Sequence, residues 1–278
     1  MAEVTADAVK KLRELTDLPM MECKKALTEA GGDQEKAIQI LRERVKGLSL
    51  KFQDRVTSEG RVHTMVSDDG MSGVMVEVQC ETAPVARNED FLFLCNQLGK
   101  QLMTGPGAAS AEELLDQPAP DRPGQKIREL LDEVFNKIRE KMVVTRVLKV
   151  QGPVGAYTHH DGKLGVLFQA SGAKANEDVL RGVAMQVAAL RPRACLPTEL
   201  PQDVVAAELA RQTEEARKSG KPEAVIEKIV SGKMRTYYAN EGVLVEQPYV
   251  KEDSKTVSQI LADAGLKAVA YTRWALGQ

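Results

Sequence analysis

Thiols and imidazoles are the side chains of this sequence that could act as nucleophiles or hold a metal ion. They are Cys23, Cys80, Cys95, Cys195, His63, His159 and His160. The cysteine spacings fit neither a zinc site nor a dithiol redox motif. Cys80 has no evident base near it in the sequence, so a buried strand thiol is favoured over a nucleophile. The cysteines therefore indicate packing rather than catalysis.

The histidine pair lies in a segment with strand character, GPVGAYTHHDGKLGVLFQ. Adjacent strand residues point to opposite faces, so binding of one metal ion by His159 and His160 would require a bend and further ligands. We expect a hairpin histidine with local hydrogen bonds, and neither a metal site nor a cofactor. The sequence also contains no phosphate-binding loop ending in Gly-Lys-Ser/Thr and no G-x-S-x-G elbow. It therefore predicts a protein that is not an enzyme.

The composition excludes some classes of partner. Of 278 residues, 28% are charged and 43% hydrophobic, and the formal net charge is −2. A nucleic-acid partner usually requires a basic face, which this balance argues against. The N-terminal segment has no apolar signal core, and no apolar run approaches the roughly 20 residues that cross a bilayer. We therefore expect a cytoplasmic protein that binds other proteins, with no direct nucleic-acid or membrane contact.

Residues 1–55 are predicted to form three short helices around one small core. Thr5 and Asp33 are candidate N-caps, and Gly31-Gly32 is expected to end the second helix. The predicted inward-facing residues are Val9, Leu12 and Leu15 on the first helix and Ala37, Ile38 and Leu41 on the third. So small a bundle cannot enclose a substrate pocket, which favours a docking surface.

Two neighbouring methionines, Met20 and Met21, begin the second predicted helix. Because consecutive helix residues diverge by about 100°, we expect one of them in the core. The other would then be exposed, and an exposed methionine makes an adaptable contact surface.

Two α+β units with matching motifs are predicted after residue 55. The motif at residues 69–74 (DGMSGV) matches that at 161–166 (DGKLGV), and residues 88–92 (NEDFL) match 176–180 (NEDVL). The same order in both copies indicates an internal duplication. The interval is 19 residues in the first copy (69 to 88) and 15 in the second (161 to 176), so the first copy has four extra residues around 80–87. An insertion in one copy is a candidate functional loop.

The remaining segments are mostly helical by pattern. They are a helix from about Asn88 to Met103, an irregular stretch at 104–124, a helix at 125–142, a helical hairpin at 202–238, a strand at 243–250 and a final helix from about Lys255 to Ala264. Ser219-Gly220-Lys221-Pro222 separates the two hairpin helices, because Gly commonly ends a helix and Pro begins one. The predicted fold class is α+β.

Six segments of this sequence resemble bacterial elongation factor Ts. They are TDLPMMECKKALTEAGGDQEKAIQILRE, VEVQCETAPVARNEDF, YTHHDGKLGVLFQASG, SGKPEAVIEKIVSGKM, EQPYVKEDSKTVSQIL and YTRWALGQ. The likeness follows the family's order over nearly the whole chain. It implies a ubiquitin-associated-like docking module at 1–55, core subdomains at 56–145 and 146–278, a coiled-coil hairpin at 202–238 and a C-terminal module at 254–278.

The resemblance implies a guanine-nucleotide exchange factor for the GTPase elongation factor Tu. Such a factor binds the GDP form of Tu and promotes GDP release by disturbing the magnesium and phosphate site. The partner-binding residues implied are the magnesium-dislocation loop Thr82, Ala83, Pro84 and Val85, together with Leu12, Met20, Met21, His159, Lys255, Thr256 and Val257. A homodimer through the core is also compatible with the family.

The chain departs from the family at the centre of that loop. The family has Asp-Phe where this sequence has Ala83-Pro84, and the flanking Thr82 and Val85 stay in pattern. A second hypothesis is therefore a Tu-binding protein of the same fold with weakened exchange. A third is an uncharacterised enzyme that uses Cys80 or the histidines.

Overall fold

The computed structural model describes residues 4–16 and 18–278, and the side chains of these residues except 42 and 45–51. Helices and strands are both abundant, which confirms the α+β class. The chain divides into two compact units. The first comprises Met1–Arg61, Val76–Val147 and Leu276–Gln278, and the second comprises Val62–Met75 and Leu148–Ala275.

The elements follow in a fixed order along the described residues. The helices are α1 (Ala6–Thr16), α2 (Met20–Glu29), α3 (Gln34–Lys51), α4 (Glu89–Thr104), α5 (Ala111–Leu115), α6 (Ile127–Ile138), α7 (Glu177–Leu190), α8 (Gln202–Arg217), α9 (Glu223–Asn240) and α10 (Val257–Asp263). The strands are β1 (Glu59–Val66), β2 (Ser72–Cys80), β3 (Met142–Gln151), β4 (Val154–Thr158), β5 (Leu164–Ser171), β6 (Pro248–Tyr249), β7 (Glu252–Thr256) and β8 (Lys267–Ala275). The sheets have the orders β1-β2-β3, β4-β5-β8 and β6-β7.

Helices α1 and α3 begin at the predicted caps, Thr5 and Asp33. The Thr5 hydroxyl accepts a hydrogen bond from the Ala8 amide at 3.2 Å, and the Asp33 carboxylate accepts from the amides of Glu35 and Lys36 at 3.0 and 3.1 Å. These bonds satisfy amides that have no partner within the first turn of a helix.

The predicted inward stripe of α1 is wrong at one position. Val9 and Leu12 are buried, whereas 61% of Leu15 is exposed. At 100° per residue, position 15 has rotated about 120° from position 9, so it has left the buried face. The core of these helices comprises Val9, Leu12, Leu18, Cys23, Ala26, Leu27, Ala37 and Leu41.

The matching motifs adopt the same local structures. Gly70 and Gly162 both have positive φ, +69° and +74°, in turns where the preceding aspartate accepts a hydrogen bond from the residue after the glycine. Asn88 and Asn176 both cap a helix, α4 and α7 respectively. These pairs agree with a duplicated unit, and the duplication itself stays a prediction.

The C-terminal region departs most from expectation. Residues 243–250, predicted as a strand, contain a short 3-10 helix at Leu244–Glu246 and only the two-residue β6. The amides of Leu244 and Val245 bond to the carbonyls of Ala194 and Cys195 instead of extending a sheet. The structure also contains β8, which sequence reasoning missed. Among the described residues, no helix is both long and apolar enough to cross a membrane.

Candidate partner-binding surface

The segment between β2 and α4 is anchored at both ends. At its start, the Glu81 carboxylate accepts a hydrogen bond from the Lys141 amide at 2.6 Å and pairs with Arg55 at 3.2 Å. At its end, Val85 is buried and begins a short 3-10 helix that runs to Arg87. These contacts hold the chain on either side of a three-residue tip.

The tip is formed by Thr82, Ala83 and Pro84, all of which are exposed. Its first residue is held by Glu140: the Thr82 amide donates to Oε2 at 3.0 Å, and the Thr82 hydroxyl donates to Oε1 at 2.8 Å. The Cys80 thiol donates to the Thr82 carbonyl at 3.3 Å. The tip is therefore both accessible and ordered by several hydrogen bonds.

Three residues proposed from the resemblance as contacts have buried side chains. Leu12 and Val257 have no exposed surface, and Val85 is 7% exposed. Leu12 belongs to the core of the first three helices, and Val257 to the core beneath α7 and β5. In this conformation these side chains face the core, and their part in partner binding stays a prediction.

Met20 and Met21 are both exposed, at 48% and 62%. The prediction that one of them lies in the core is therefore wrong. The α2 residues that enter the core are Cys23, Ala26 and Leu27, and Leu18, which precedes the helix, belongs to the same core. Two polarizable thioethers consequently stand side by side on the surface.

The second unit carries His159 at the end of β4. Its Nδ1 lies 3.0 Å from the hydroxyl oxygen of Tyr157, and its ring centroid lies 4.3 Å from that of His160. The two rings do not point to opposite faces as predicted, because β4 ends at Thr158 and the pair enters a turn. His159 is half-buried, and His160 is exposed.

Lys255 and Thr256 lie at the start of α10. The Thr256 hydroxyl accepts from the Gln259 amide, and the Gln259 side chain accepts from the Thr256 amide, which forms a capping box. Lys255 pairs with Glu252 and Asp263 at 3.4 and 3.0 Å. Both side chains are partly exposed, so this helix start can contribute to a surface.

Burial keeps three of the four thiols protonated. All four cysteines are free and buried. Burial raises the pKa of Cys80, Cys95 and Cys195 to about 12, and for Cys80 the nearby charge of Glu140 adds to that increase. Thiolates are the reactive species. Across residues 4–16 and 18–278, no cluster of three or more His, Cys, Asp or Glu side chains is arranged to hold a metal ion.

Sequence reasoning missed the turn that follows α6. The predicted helix at 125–142 ends at Ile138, because Arg139 adopts a left-handed conformation with φ of 61°. Arg139 then bonds to Glu22 of α2, and Glu140 bonds to Thr82. A non-glycine residue at positive φ has no local sequence signal here, so only the fold reveals these partners.

Comparison with known proteins assigns the family. A family model described as elongation factor TS matches residues 81–278. The chain is 40% identical to elongation factor Ts of Thiobacillus denitrificans, over 100% of this chain and 93% of that protein. It is 39% identical to elongation factor Ts of Aquifex aeolicus, over 99% and 98%. It is 40% identical to elongation factor Ts of Hyphomonas neptunium, over 100% and 93%.

The matches to these relatives cover 99–100% of this chain, whose structure combines helices and strands. The chain belongs to the elongation factor Ts family, whose members are translation elongation factors.

Proposed function

We propose that this protein is a guanine-nucleotide exchange factor that binds elongation factor Tu in its GDP form and promotes release of GDP. The observation that carries the proposal is the likeness to elongation factor Ts over the whole chain. Tu holds GDP through contacts to the phosphates and to Mg²⁺, as GTPases do. The factor acts by disturbing that magnesium and phosphate site.

Thermodynamic linkage explains why such a factor needs no catalytic residue. A partner that binds Tu more tightly when the phosphate contacts are broken must weaken nucleotide binding by the same factor. The factor therefore needs a docking surface and a segment that enters the nucleotide site, and it makes or breaks no covalent bond. The proposed role is accordingly not enzymatic.

The proposed contacts are distributed over several parts of the chain. The exposed tip Thr82–Pro84 faces the nucleotide site, with Val85 supporting it from the core. Met20 and Met21 dock on the nucleotide domain of Tu, and Leu12, which is buried, belongs to the same proposed site. His159, Lys255 and Thr256 make the remaining contacts, and the buried Val257 belongs to the same proposed site at the start of α10.

The proposed modules follow the family layout. Residues 1–55 form a ubiquitin-associated-like docking module, and 56–145 and 146–278 are the duplicated subdomains. The hairpin at 202–238 and the C-terminal module at 254–278 belong to the second. A homodimer through the core stays a prediction.

A second candidate function is binding of Tu with weakened exchange. The observation that favours it is the exposed tip, where Ala83 and Pro84 supply neither a carboxylate nor an aromatic ring. Proline buries much less apolar area than phenylalanine. A tip that carries Pro84 therefore disturbs the magnesium and phosphate site less.

Stopped-flow fluorescence separates the two candidates. Tu loaded with a fluorescent GDP analogue is mixed with excess unlabelled GDP and increasing amounts of the chain. An exchange factor raises the release rate to a plateau as its concentration rises. A binding protein forms the complex, measured by sedimentation, and leaves the release rate at its intrinsic value. Absence of both effects would reject Tu as the partner.

A further inference from the structure

Arg139 and Glu140, the two residues that follow α6, form hydrogen bonds with two different parts of the chain. Arg139 reaches the first three helices, and Glu140 reaches the loop after β2. Both partners belong to the same compact unit as the turn itself. The two surfaces that these residues contact are those with the most exposed proposed contact groups, namely Met20–Met21 and Thr82–Pro84.

We propose that the turn Arg139–Glu140 is a two-sided positioning element, in which Glu140 fixes the tip that acts on the nucleotide site and Arg139 fixes the methionine face that docks on Tu. The inference rests on the proposed exchange function and deepens it. Neither residue needs to touch the nucleotide. Each acts through the neighbour that it holds.

The Glu140 side of the turn sets the conformation of the tip. One carboxylate accepts from the amide and the hydroxyl of Thr82, at 3.0 and 2.8 Å. Hydrogen bonds to an ionised acceptor are the stronger kind, and two of them to one residue fix both its backbone and its χ1. Ala83 and Pro84 follow immediately, so their direction depends on this residue. A misplacement of about 1 Å in a positioned group can cost roughly 100-fold in rate.

The same region carries a second restraint on the loop. Lys141, the next residue, donates its amide to Glu81, and its ammonium group donates to the carbonyl oxygens of Gln53 and Arg55. Glu140 thus holds Thr82, and Lys141 holds Glu81. Two successive residues that follow α6 therefore hold two successive residues of the loop.

The Arg139 side of the turn reaches α2. Its Nη2 donates to both carboxylate oxygens of Glu22 at 3.2 Å, and Glu22 directly follows Met20–Met21. Arg139 makes this contact from a left-handed backbone conformation, which is unfavourable for any residue with a Cβ. A glycine would adopt it more readily, so the arginine occupies a position that is unfavourable for its backbone.

This backbone conformation makes Arg139→Gly a discriminating variant. The substitution relieves the unfavourable φ and removes the contact with Glu22. If the contact with Glu22 had no part in docking, the variant would be equally or more stable and would exchange as well as the parent. A positioning residue gives a variant that melts no lower and yet docks less tightly.

Glu140 also offers a conservative variant. In Glu140→Gln, the amide oxygen accepts from the Thr82 amide and the NH₂ group donates to the Thr82 hydroxyl oxygen, which can act as an acceptor. Both bonds are retained in number. Glu140→Ala removes both, and Thr82→Val removes only the hydroxyl bond. Glu112→Ala, which breaks an exposed ion pair with Arg128 in the same unit, is the matched control.

The experiment measures release of fluorescent GDP from Tu against the concentration of each full-length variant. We expect Glu140→Ala to lower the plateau rate about 10-fold with the half-saturating concentration nearly unchanged, and Glu140→Gln to restore it. We expect Arg139→Gly to raise the half-saturating concentration about 5- to 10-fold with the plateau unchanged. Glu112→Ala should match the parent. Thr82→Val should lie between the parent and Glu140→Ala.

Amide hydrogen exchange on the free chain tests, in the absence of Tu, whether Glu140 holds Thr82. The Thr82 amide should exchange faster in Glu140→Ala and return to the parental rate in Glu140→Gln. A faster amide combined with an unchanged plateau would overturn the inference, and so would equal loss in Glu140→Gln and Glu140→Ala. If the parent does not accelerate GDP release, the proposed function fails and this inference falls with it, a result that the parent alone reveals.

Discussion

The imidazole rings of His159 and His160 lie 4.3 Å apart, although the two residues are neighbours in the chain. In an extended strand their side chains would diverge. The strand ends at Thr158, and the turn at Asp161-Gly162 brings the rings to one side. His159 is held by Tyr157 through Nδ1, whereas His160 is exposed. The pair therefore provides its own matched comparison.

Replacement of His159 by alanine should weaken binding to Tu, because it removes an oriented imidazole from the proposed contact surface. We expect a loss of about 3- to 10-fold in affinity, measured by titration of fluorescent Tu. His160→Ala should stay within about 2-fold. Metal content, measured by emission spectroscopy, should not differ between the variants. Stoichiometric zinc in the parent that is lost in His159→Ala would contradict a role in protein contact.

Joint replacement of Met20 and Met21 by alanine should weaken docking without altering the fold. Both side chains are about half exposed or more, so their loss leaves the core of the first three helices intact. Apolar area buried against a partner supplies about 1–2 kcal/mol here, a roughly 5- to 30-fold effect on affinity. Melting temperature should be unchanged. Val56→Ala, at a residue that is 78% exposed in the same unit, is the control, and an equal loss in this variant would remove any special role for the methionines.

The cysteines should resist thiol reagents in the folded protein. Three of them have their pKa raised to about 12 by burial, so at pH 8 the reactive thiolate is scarce. We expect labelling by a chromogenic disulfide to be at least about 100-fold slower in buffer than in urea at the same pH, since each unit of pKa changes the thiolate fraction about tenfold. Rapid native labelling of Cys80 would instead revive the hypothesis of a nucleophile.

Acid should weaken the helical hairpin through its carboxylates. Hydrogen bonds lower the pKa of Glu208 from 4.5 to about 2, and those from Arg211 contribute more than the one from Gln212. The pKa of Glu215 is lowered by Lys233 of the facing helix. A lowered folded pKa contributes stability that is present above the unfolded pKa and lost as pH falls through the folded one. The window is therefore about pH 4.5 to 2.

Thermal unfolding and hairpin amide exchange between pH 5 and 2 measure this loss. We expect Glu208→Gln to be less stable at pH 5 and to approach the parent near pH 2, where the parental carboxylate is itself protonated. Glu214→Gln, on the same helix at an exposed position, is the matched control. A difference between parent and Glu208→Gln that is constant over the whole range would rule out titration of this group as the cause.

Local chemistry made part of this fold predictable. Thr5 and Asp33 cap helices, and the turns at Gly70 and Gly162 need positive φ, which glycine adopts readily. Each of these signals involves residues within a few positions of one another. The same is true of Asn88, which caps α4.

Partners distant in sequence account for what could not be predicted. Strand β8 pairs with β5, about 100 residues earlier, and places Tyr271 opposite Phe168. Without that partner, its half-exposed residues show no clear alternation. The contact of Glu140 with Thr82 likewise forms between residues far apart in the sequence and is visible only in the fold. At the tip itself, the sequence indicated an inserted loop, and the structure adds how that loop is held.

Restoration of the family residues at the tip should strengthen exchange. Ala83 and Pro84 are exposed, and Pro84 has φ of −58° and ψ of −41°, which any residue can adopt, so Ala83→Asp with Pro84→Phe should leave the melting temperature nearly unchanged. The added carboxylate and ring should speed GDP release by about 3- to 10-fold, as expected for about 1 kcal/mol of added contact in the transition state. The gain should shrink as magnesium is removed, because displacement of that ion is the proposed role. Ala83→Asn with Pro84→Phe isolates the ring from the charge. Slower exchange would mean that the cognate Tu has adapted to Ala-Pro, and a double variant identical to the parent at every magnesium concentration would show that the tip does not act on the nucleotide site.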